Sequence, residues 1–243
     1  MSLPVVEHRS GCVVCGGELV YLARGEAMAC VYCGATAESE TRCAQGHYVC
    51  DACHARSAID LIARACEKTD SRDPIDLART LMRHPAFKMH GPEHHFLVPA
   101  VLVATWCNQK GGPERKAELL AEARRRSAPV LGGFCGIQGA CGAGIGTGIF
   151  IALVTGSTPL KGPQRGLANR MTAQALALVG ATEGARCCKR DCFLSLLAAV
   201  KFARAELGVK LSARGPRCEF SELNRECVEE RCPFYPARAS ARA

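Results

Sequence analysis

The cysteines constrain this chain more than any other feature of its sequence. There are 17 of them in 243 residues, mostly in closely spaced groups. An odd number in such groups does not suit a disulfide framework, and the first residues, MSLPVVEHRSGC, contain no apolar export segment. We therefore interpret the cysteines as metal ligands of a cytoplasmic protein.

The first 54 residues contain four pairs of potential ligands with the spacing of zinc sites. Zinc takes four sulfur or nitrogen ligands in a tetrahedron, and a C-x2-C turn supplies two of them. The pairs predict two structural zinc ions in a zinc-ribbon or RING-like module. The eight predicted ligands are Cys12, Cys15, Cys30, Cys33, Cys43, His47, Cys50 and Cys53.

Two pairings of these ligands remain open. The simpler pairing is sequential, so that the first two cysteine pairs share one ion. The stretch GHYVCDACH also resembles the middle of RING-type modules, in which alternate pairs interleave. That arrangement would bring Cys12 and Cys15 together with Cys43 and His47.

Beyond this module the pattern indicates a mainly α protein. Helical periodicity begins at Ala55, Asp73 and Pro74 form a helix start, and strand-like alternation is scarce. Residues 181–192 are predicted to form a loop, followed by a long helix from Phe193 to Leu207. The longest apolar run, residues 143–154, falls short of the roughly 20 residues that a membrane helix needs. We predict a zinc module at 1–54, an all-helical body at 55–210 and a cysteine-rich tail at 211–243 that packs on the body's metal site.

Ionisable residues are concentrated just before an apolar helix that we expect to start near Pro99. Such a cluster can bind a metal, serve as acid or base, or hold an anion near a helix N-terminus. The alternative is that it caps the helix and fills a polar corner. Charged groups beside an apolar core are costly unless used or paired, so we favour a functional role. The candidate catalytic residues are His90, Glu93, His94 and His95.

Glycines recur at alternate positions from Gly142 to Gly148. A dinucleotide fingerprint is excluded because no strand precedes them and no acidic residue follows at the required distance. A phosphate-binding Walker loop is excluded because its lysine is missing. The glycines predict instead a buried helix that approaches a neighbour closely, or room for a bulky cofactor.

Residues 90–210 resemble the α domain of the iron–sulfur L-serine dehydratases, and the cysteine desulfidases are a related comparison. The resemblance lies in the order of VPAVLVATW, a charged helix, GFCGIQGACGAGIGTGIFIALV, a cysteine loop and CFLSLLAAVKFARAEL. It implies a helical domain whose three cysteines hold a 4Fe–4S cluster with one open iron, used as a Lewis acid. By position, the implied ligands are Cys135, either Cys187 or Cys188, and Cys192.

The chain also departs from the dehydratase pattern. The loop between the second and third cysteines is shorter, and HGPEHHF replaces the serine-rich substrate segment, which weighs against serine as the substrate. The candidates for the base that removes a substrate proton are the four ionisable residues before the apolar helix, and Glu183 is a further candidate. The tail cysteines either approach this cluster or join Cys141 or Cys107 in a second one. These tail residues are Cys218, Cys227 and Cys232.

The sequence thus predicts an iron–sulfur-dependent lyase, of dehydratase or desulfurase type, that acts on a small metabolite. Its cofactors would be one or two 4Fe–4S clusters and two zinc ions. The alternative is a non-catalytic iron–sulfur and zinc protein, redox or accessory, that docks on a partner through its zinc module.

The net charge of +8 alone does not indicate nucleic-acid binding, because metal-bound thiolates reduce this charge and aromatic residues make up only 5% of the chain. The oligomeric state stays open.

Overall fold

The chain is mainly helical, as the sequence predicted, with 56% of it in helices. The structure, a computed structural model, describes residues 11–12, 17–29, 35–84, 86–110 and 112–236, without the side chains of residues 52–57 and 113. These ranges contain a two-stranded antiparallel sheet and eight α-helices. The elements are β1 (Leu19–Ala29), β2 (Thr36–Cys43), α1 (Asp51–Lys68), α2 (Pro74–Met82), α3 (Glu93–Lys110), α4 (Lys116–Ser127), α5 (Phe134–Ile137), α6 (Gly142–Thr155), α7 (Gly162–Gly180) and α8 (Cys188–Leu207).

Helix α3 is the centre of the helical body and packs against α1, α2, α4, α6 and α8. Its residues from Phe96 to Ala104 are all buried, because a helix that is apolar on every side must be enclosed by others. Cys66 on α1 and Cys107 on α3 are also fully buried in this core. Both thiols therefore serve packing.

Helix α3 begins at Glu93, earlier than the start predicted near Pro99. Its first turn is closed by hydrogen bonds from His94 N to Gly91 O, 3.3 Å, and from His95 N to Pro92 O, 2.9 Å. Pro99 therefore lies inside the helix, where it cannot donate to the carbonyl of His95. Glu93, His94 and His95 consequently belong to the first turn of the central helix, and His90 lies just before it.

Glycines on two faces of α6 allow it to pass close to both of its neighbours. A Cβ atom on Gly146 would lie 2.7 Å from Cδ of Pro99 in α3, and one on Gly148 would overlap Oγ1 of Thr172 in α7. Of the two roles predicted for these glycines, the structure therefore shows the close helix–helix approach.

Replacing Gly146 by alanine is expected to destabilise the protein, because the Pro99 ring is rigid and cannot move aside. Overpacking costs about 1–3 kcal/mol, which outweighs the roughly 1 kcal/mol that alanine gains over glycine in a helix. Gly166→Ala in α7 is the matched control, since its nearest contact is the flexible end of Arg170 at 3.9 Å. In chemical denaturation the two variants should differ by about 2 kcal/mol. Equal stabilities would contradict this packing.

Helix α8 begins at Cys188, earlier than the start predicted at Phe193. The thiol of Cys187 caps it by accepting a hydrogen bond from the N–H of Arg190 at 3.5 Å. Cys188 and Cys192, expected in a loop, therefore lie four residues apart on one face of a helix. The loop prediction was wrong because a cysteine cap is not a common helix-start signal.

The N-terminal hairpin pairs β1 with β2, and Leu19 lies opposite Cys43. It contacts the helical body where the guanidinium of Arg186 lies 5.8 Å from the ring centre of Tyr21. Directly after the hairpin, Asp51 accepts a hydrogen bond from the N–H of Gly132 at 3.0 Å. Asp51 starts α1, so the boundary predicted between residues 54 and 55 falls within that helix.

The described part of the tail, up to residue 236, has two short 3-10 turns and no α-helix. It folds back over α2, where Glu219 forms a bidentate ion pair with Arg83. None of the helices described by the structure is long and apolar enough to span a membrane.

Candidate metal centres and active site

Glu93 and His94 lie side by side in the first turn of α3, and both are buried. Glu93 Oε1 accepts the backbone N–H of Lys88 at 2.9 Å and lies 3.5 Å from His94 Nδ1. Burial raises the pKa of the Glu93 carboxyl to about 7. A buried carboxyl with its pKa near neutrality is a common feature of active sites.

The His94 ring is held in one tautomer. Its Nδ1 lies 2.9 Å from the carbonyl oxygen of Gly91, which can only accept, so Nδ1 carries the hydrogen. Burial lowers the pKa of His94 well below its usual value, so the ring is neutral and Nε2 has a free lone pair. Among the described residues this buried Nε2 has no hydrogen-bond partner. It is therefore available as a base or a ligand.

The other two histidines of the cluster point elsewhere. His95 Nδ1 donates to Val130 O at 2.8 Å, and its ring occupies the space where a side chain on Gly142 would lie. His90 Nε2 lies 3.4 Å from Glu226 Oε2 in the tail. Burial lowers the pKa of both rings. His95 therefore serves the packing of α6, and His90 connects α3 with the tail.

Three thiols converge where α6 and α8 begin: Cys141, Cys188 and Cys192, which we call the core thiol group. Cys141 Sγ lies 3.9 Å from Asp191 Oδ2, and Cys192 Sγ lies 3.9 Å from the carbonyl oxygen of His94. Burial raises the pKa of Cys192 well above its usual value, and negative charge at Cys188 and Cys141 raises it further. The group thus lies beside the buried histidine.

The predicted ligand Cys135 and Cys141, which was considered only for a second cluster, lie differently. Cys135 is exposed on α5, whereas Cys141 is buried at the N-cap of α6. Burial and the charge of Asp191 raise the pKa of Cys141 to about 12, and Cys135 adds a smaller effect, so it lies within electrostatic reach. Glu183, the further candidate base, is exposed in the loop before α8. The geometry favours Cys141 over Cys135 as a ligand.

The thiols of the adjacent residues Cys187 and Cys188 lie in different parts of the structure. Cys188 accepts a hydrogen bond from the N–H of Gly91 beside the core thiol group. Cys187 instead lines a separate pocket together with the three tail cysteines. We call these four thiols, Cys187, Cys218, Cys227 and Cys232, the tail thiol group. Cys107 lies apart from them, near Lys116 at the other end of α3.

A buried lysine accompanies the thiols at the start of α8. Lys189 is fully buried, and its Nζ donates to Lys88 O at 2.9 Å and lies 5.4 and 5.0 Å from the ring centres of Phe87 and Phe220. Burial lowers its pKa to about 8. Since metal-bound thiolates are anionic, such a cation would offset their charge.

An ion pair is also buried in this first turn. Arg190 Nε donates to Asp191 Oδ1 at 3.2 Å, and its Nη2 donates to Ala185 O at 3.1 Å. Lys189, Arg190 and Asp191 were not predicted as site residues, because the sequence pattern placed them in a loop. The signal that could have found them is three charged residues between two cysteines that precede an apolar helix.

The N-terminal ligands converge only in part within the described residues. Cys12, Cys43 and His47 place one ligand atom each within 4.8 Å of one another, and we call them the N-terminal Cys/His group. Cys12 Sγ lies 3.8 Å from His47 Nδ1. This geometry corresponds to the interleaved pairing. The predicted ligands Cys15, Cys30 and Cys33 and the side chain of Cys53 lie outside the described residues, and Cys50 caps α1.

An open cleft of about 720 Å³ separates the N-terminal hairpin from the helical body. Lys88, His90 and Arg186 contribute positive or ionisable groups from the body, and Glu38 and Glu40 face them from β2. Residues 88–92 form part of this wall and also contact the core thiol group through Gly91. The cleft and the core thiols are therefore separated by one short segment.

The helical body and the tail together match a known protein family. Residues 62–235 correspond to a family of unknown function, DUF5714. The chain belongs to this family. The DUF5714 region begins within α1 and includes both the core and the tail thiol groups, whereas the N-terminal Cys/His group precedes it. Comparisons with curated proteins and with solved structures found no match.

Proposed function

We propose that this protein is an iron–sulfur enzyme of the lyase type, with Cys141, Cys188 and Cys192 as the cluster ligands. The observation that carries the proposal is the convergence of three thiols from two helix starts beside Glu93 and His94. Three thiols leave one corner of a cluster without a protein ligand. The resemblance to the dehydratases also implies a cluster held by three thiols, although it gives Cys135 in place of Cys141.

The spacing of the core sulfur atoms does not match that around a single zinc ion. Zinc–sulfur bonds of about 2.3 Å in a tetrahedron place sulfur atoms about 3.8 Å apart. In the part of the chain that the structure describes, the N-terminal Cys/His group is the only set of three Cys, His or acidic ligand atoms within 4.8 Å. The core thiols are therefore more widely spaced than one zinc ion requires.

The protein groups around the core thiols have distinct roles in this proposal. A cluster with an open iron supplies a Lewis acid that polarises a leaving hydroxyl or thiol group. His94 accepts a substrate proton at Nε2, the nitrogen kept free by the hydrogen bond from Nδ1 to Gly91. Glu93, 3.5 Å from Nδ1, stabilises the positive ring that results.

The cleft supplies the access route for a small carboxylate. Lys88 and Arg186 line its body side and attract an anion, while His90 lies between the cleft and the tail. The wall formed by residues 88–92 is shared with the core thiol group, so only this segment lies between a substrate in the cleft and the thiols. Hydroxy- and mercapto-carboxylates combine the anionic group with the required leaving group.

The N-terminal Cys/His group is proposed to hold a structural zinc ion, with Cys15 as its fourth ligand. Ligand atoms within 4.8 Å suit a single tetrahedral ion. The N–H of Gln45 donates to Cys43 Sγ at 3.3 Å, which favours the thiolate. The interleaved pairing then leaves Cys30, Cys33, Cys50 and Cys53 for a second zinc ion.

Anaerobically purified protein tests the iron–sulfur assignment. Cys192→Ala should lose about four irons per chain and keep its zinc, while Cys107→Ala, another buried helical thiol, should lose neither. The electron paramagnetic resonance spectrum of the reduced wild type should change on addition of small 2-hydroxy or 2-mercapto acids. If iron is absent, or if Cys192→Ala retains all of it, the proposal is wrong.

Catalysis is tested by proton exchange. In D₂O, the wild type should exchange a carbon-bound proton of an accepted acid, and His94→Asn should slow this exchange about 100-fold without loss of iron. His84→Asn, an exposed histidine outside the cluster, is the control. A loaded protein whose spectrum is unaffected by any such acid would instead indicate the non-catalytic accessory protein.

A further inference from the structure

The tail carries little of the structure that normally holds a chain segment in place. From Val209 to Pro236 it has no α-helix or strand, only two 3-10 turns. Its buried apolar anchors are Val209, Leu211, Phe220 and Phe234. Irregular segments of this length in a compact protein are usually functional or fixed by further links.

Four cysteines provide such a link. Cys187, at the start of α8, shares one pocket with Cys218, Cys227 and Cys232 of the tail. Burial raises the pKa of Cys187 to about 12, and negative charge at Cys218 contributes to this rise. The three tail positions are separated widely in sequence, so only the folded tail brings them together.

Backbone N–H groups point at three of these sulfurs. Phe220 N donates to Cys218 Sγ at 3.3 Å, and Glu229 N donates to Cys227 Sγ at 3.4 Å. The N–H of Arg190 donates in the same way to Cys187. A neutral thiol is a weak acceptor, whereas a thiolate gains from such donors. The backbone is therefore arranged for metal-bound thiolates.

The backbone around Cys227 is also strained. Glu229 has φ 49°, in the left-handed region that costs a residue with a side chain about 1–2 kcal/mol. The N–H of this same residue donates to Cys227 Sγ. Strain of this kind persists only where surrounding interactions impose it, and a metal bound at Cys227 would do so.

The surroundings suit an anionic metal centre shielded from water. Phe193, Phe220 and Phe234 line the pocket, and Phe193 and Phe234 meet edge to face with ring centres 5.6 Å apart. The buried cation Arg190 also lines it. No three of these sulfur atoms lie within 4.8 Å of one another, as in the core thiol group. Their spacing is therefore wider than a single zinc ion requires.

We propose that Cys187, Cys218, Cys227 and Cys232 form a closed four-thiolate site for a second iron–sulfur cluster, which anchors the tail to the start of α8. All four corners of this cluster have protein ligands, so no iron is open to a substrate. The site is independent of the lyase activity proposed above, because none of its thiols belongs to the core thiol group.

Iron and zinc content of anaerobically purified variants tests this site. Cys218→Ala and Cys227→Ala should each lose about four irons and no zinc, and should keep the spectral response to hydroxy acids that belongs to the core cluster. Cys107→Ala should keep all of its iron. Unchanged iron, or a loss of zinc instead of iron, would overturn the proposal without affecting the core assignment.

A second measurement avoids variants that fail to fold. Arg225 and Arg231 are exposed trypsin sites between the tail ligands. Cleavage there in wild-type protein should be at least about tenfold slower after reconstitution with iron and sulfide than in the metal-free protein, because a bound cluster stabilises the folded tail. Equal cleavage rates in the two states would contradict a cluster that anchors the tail.

Discussion

Alanine at Cys187 and alanine at Cys188 are expected to remove iron from two different places, although the residues are adjacent. Cys187 caps α8 and faces the tail pocket, whereas Cys188 begins the helix and contacts Gly91 beside the core thiol group. Each variant should therefore lose about four irons and keep about four, and the double variant should lose all of them.

The two single variants should differ in which property they lose. Cys187→Ala should become sensitive to trypsin at Arg225 and keep the spectral response to hydroxy acids. Cys188→Ala should lose that response and keep its protection against trypsin. If either single substitution removes all of the iron, the chain holds one cluster, and the division into core and tail thiol groups is wrong.

Gly184→Ala is expected to displace the tail. Gly184 has φ 115°, which strains any residue with a side chain by about 1–3 kcal/mol, and its added Cβ would overlap Cγ1 of Val228. Overpacking adds about 1–3 kcal/mol. We therefore expect a loss of at least about 2 kcal/mol in chemical denaturation, faster cleavage at Arg225 and less iron in the tail site.

The control for this substitution lies in the tail itself. Gly215 has no atom within 4 Å of an added Cβ and does not have a positive φ, so Gly215→Ala should leave stability, cleavage and iron content unchanged. Gly184→Ala with the stability and iron content of the wild type would show that the loop before α8 does not hold the tail.

The sequence predicted the helical class and most helices, because apolar periodicity reflects the local geometry of a helix. It misplaced the starts of α3 and α8, which depend on contacts that are distant in sequence. Pro99 is accepted inside α3 next to Gly146, which leaves room for its ring. Such a contact cannot be recognised before the packing of the two helices is known.

Ligand types were easier to predict than ligand partners. The paired spacing of ligands such as Cys12, Cys43 and His47 in the sequence indicated metal sites, but two pairings of the ligands fitted this spacing equally well. The hairpin brings Cys12 close to Cys43 and His47, since Cys12 N donates to Gly17 O while β2 ends at Cys43, opposite the start of β1. Likewise, nothing local separates Cys187 from Cys188. Their different neighbours follow from where the helix begins and where the tail returns.

The adjacency of Cys187 and Cys188 has an electronic consequence. With clusters in both thiol groups, a single peptide unit would connect a ligand of the closed cluster to a ligand of the open one. Reduction of one cluster would then change the net charge beside the other and shift its reduction potential.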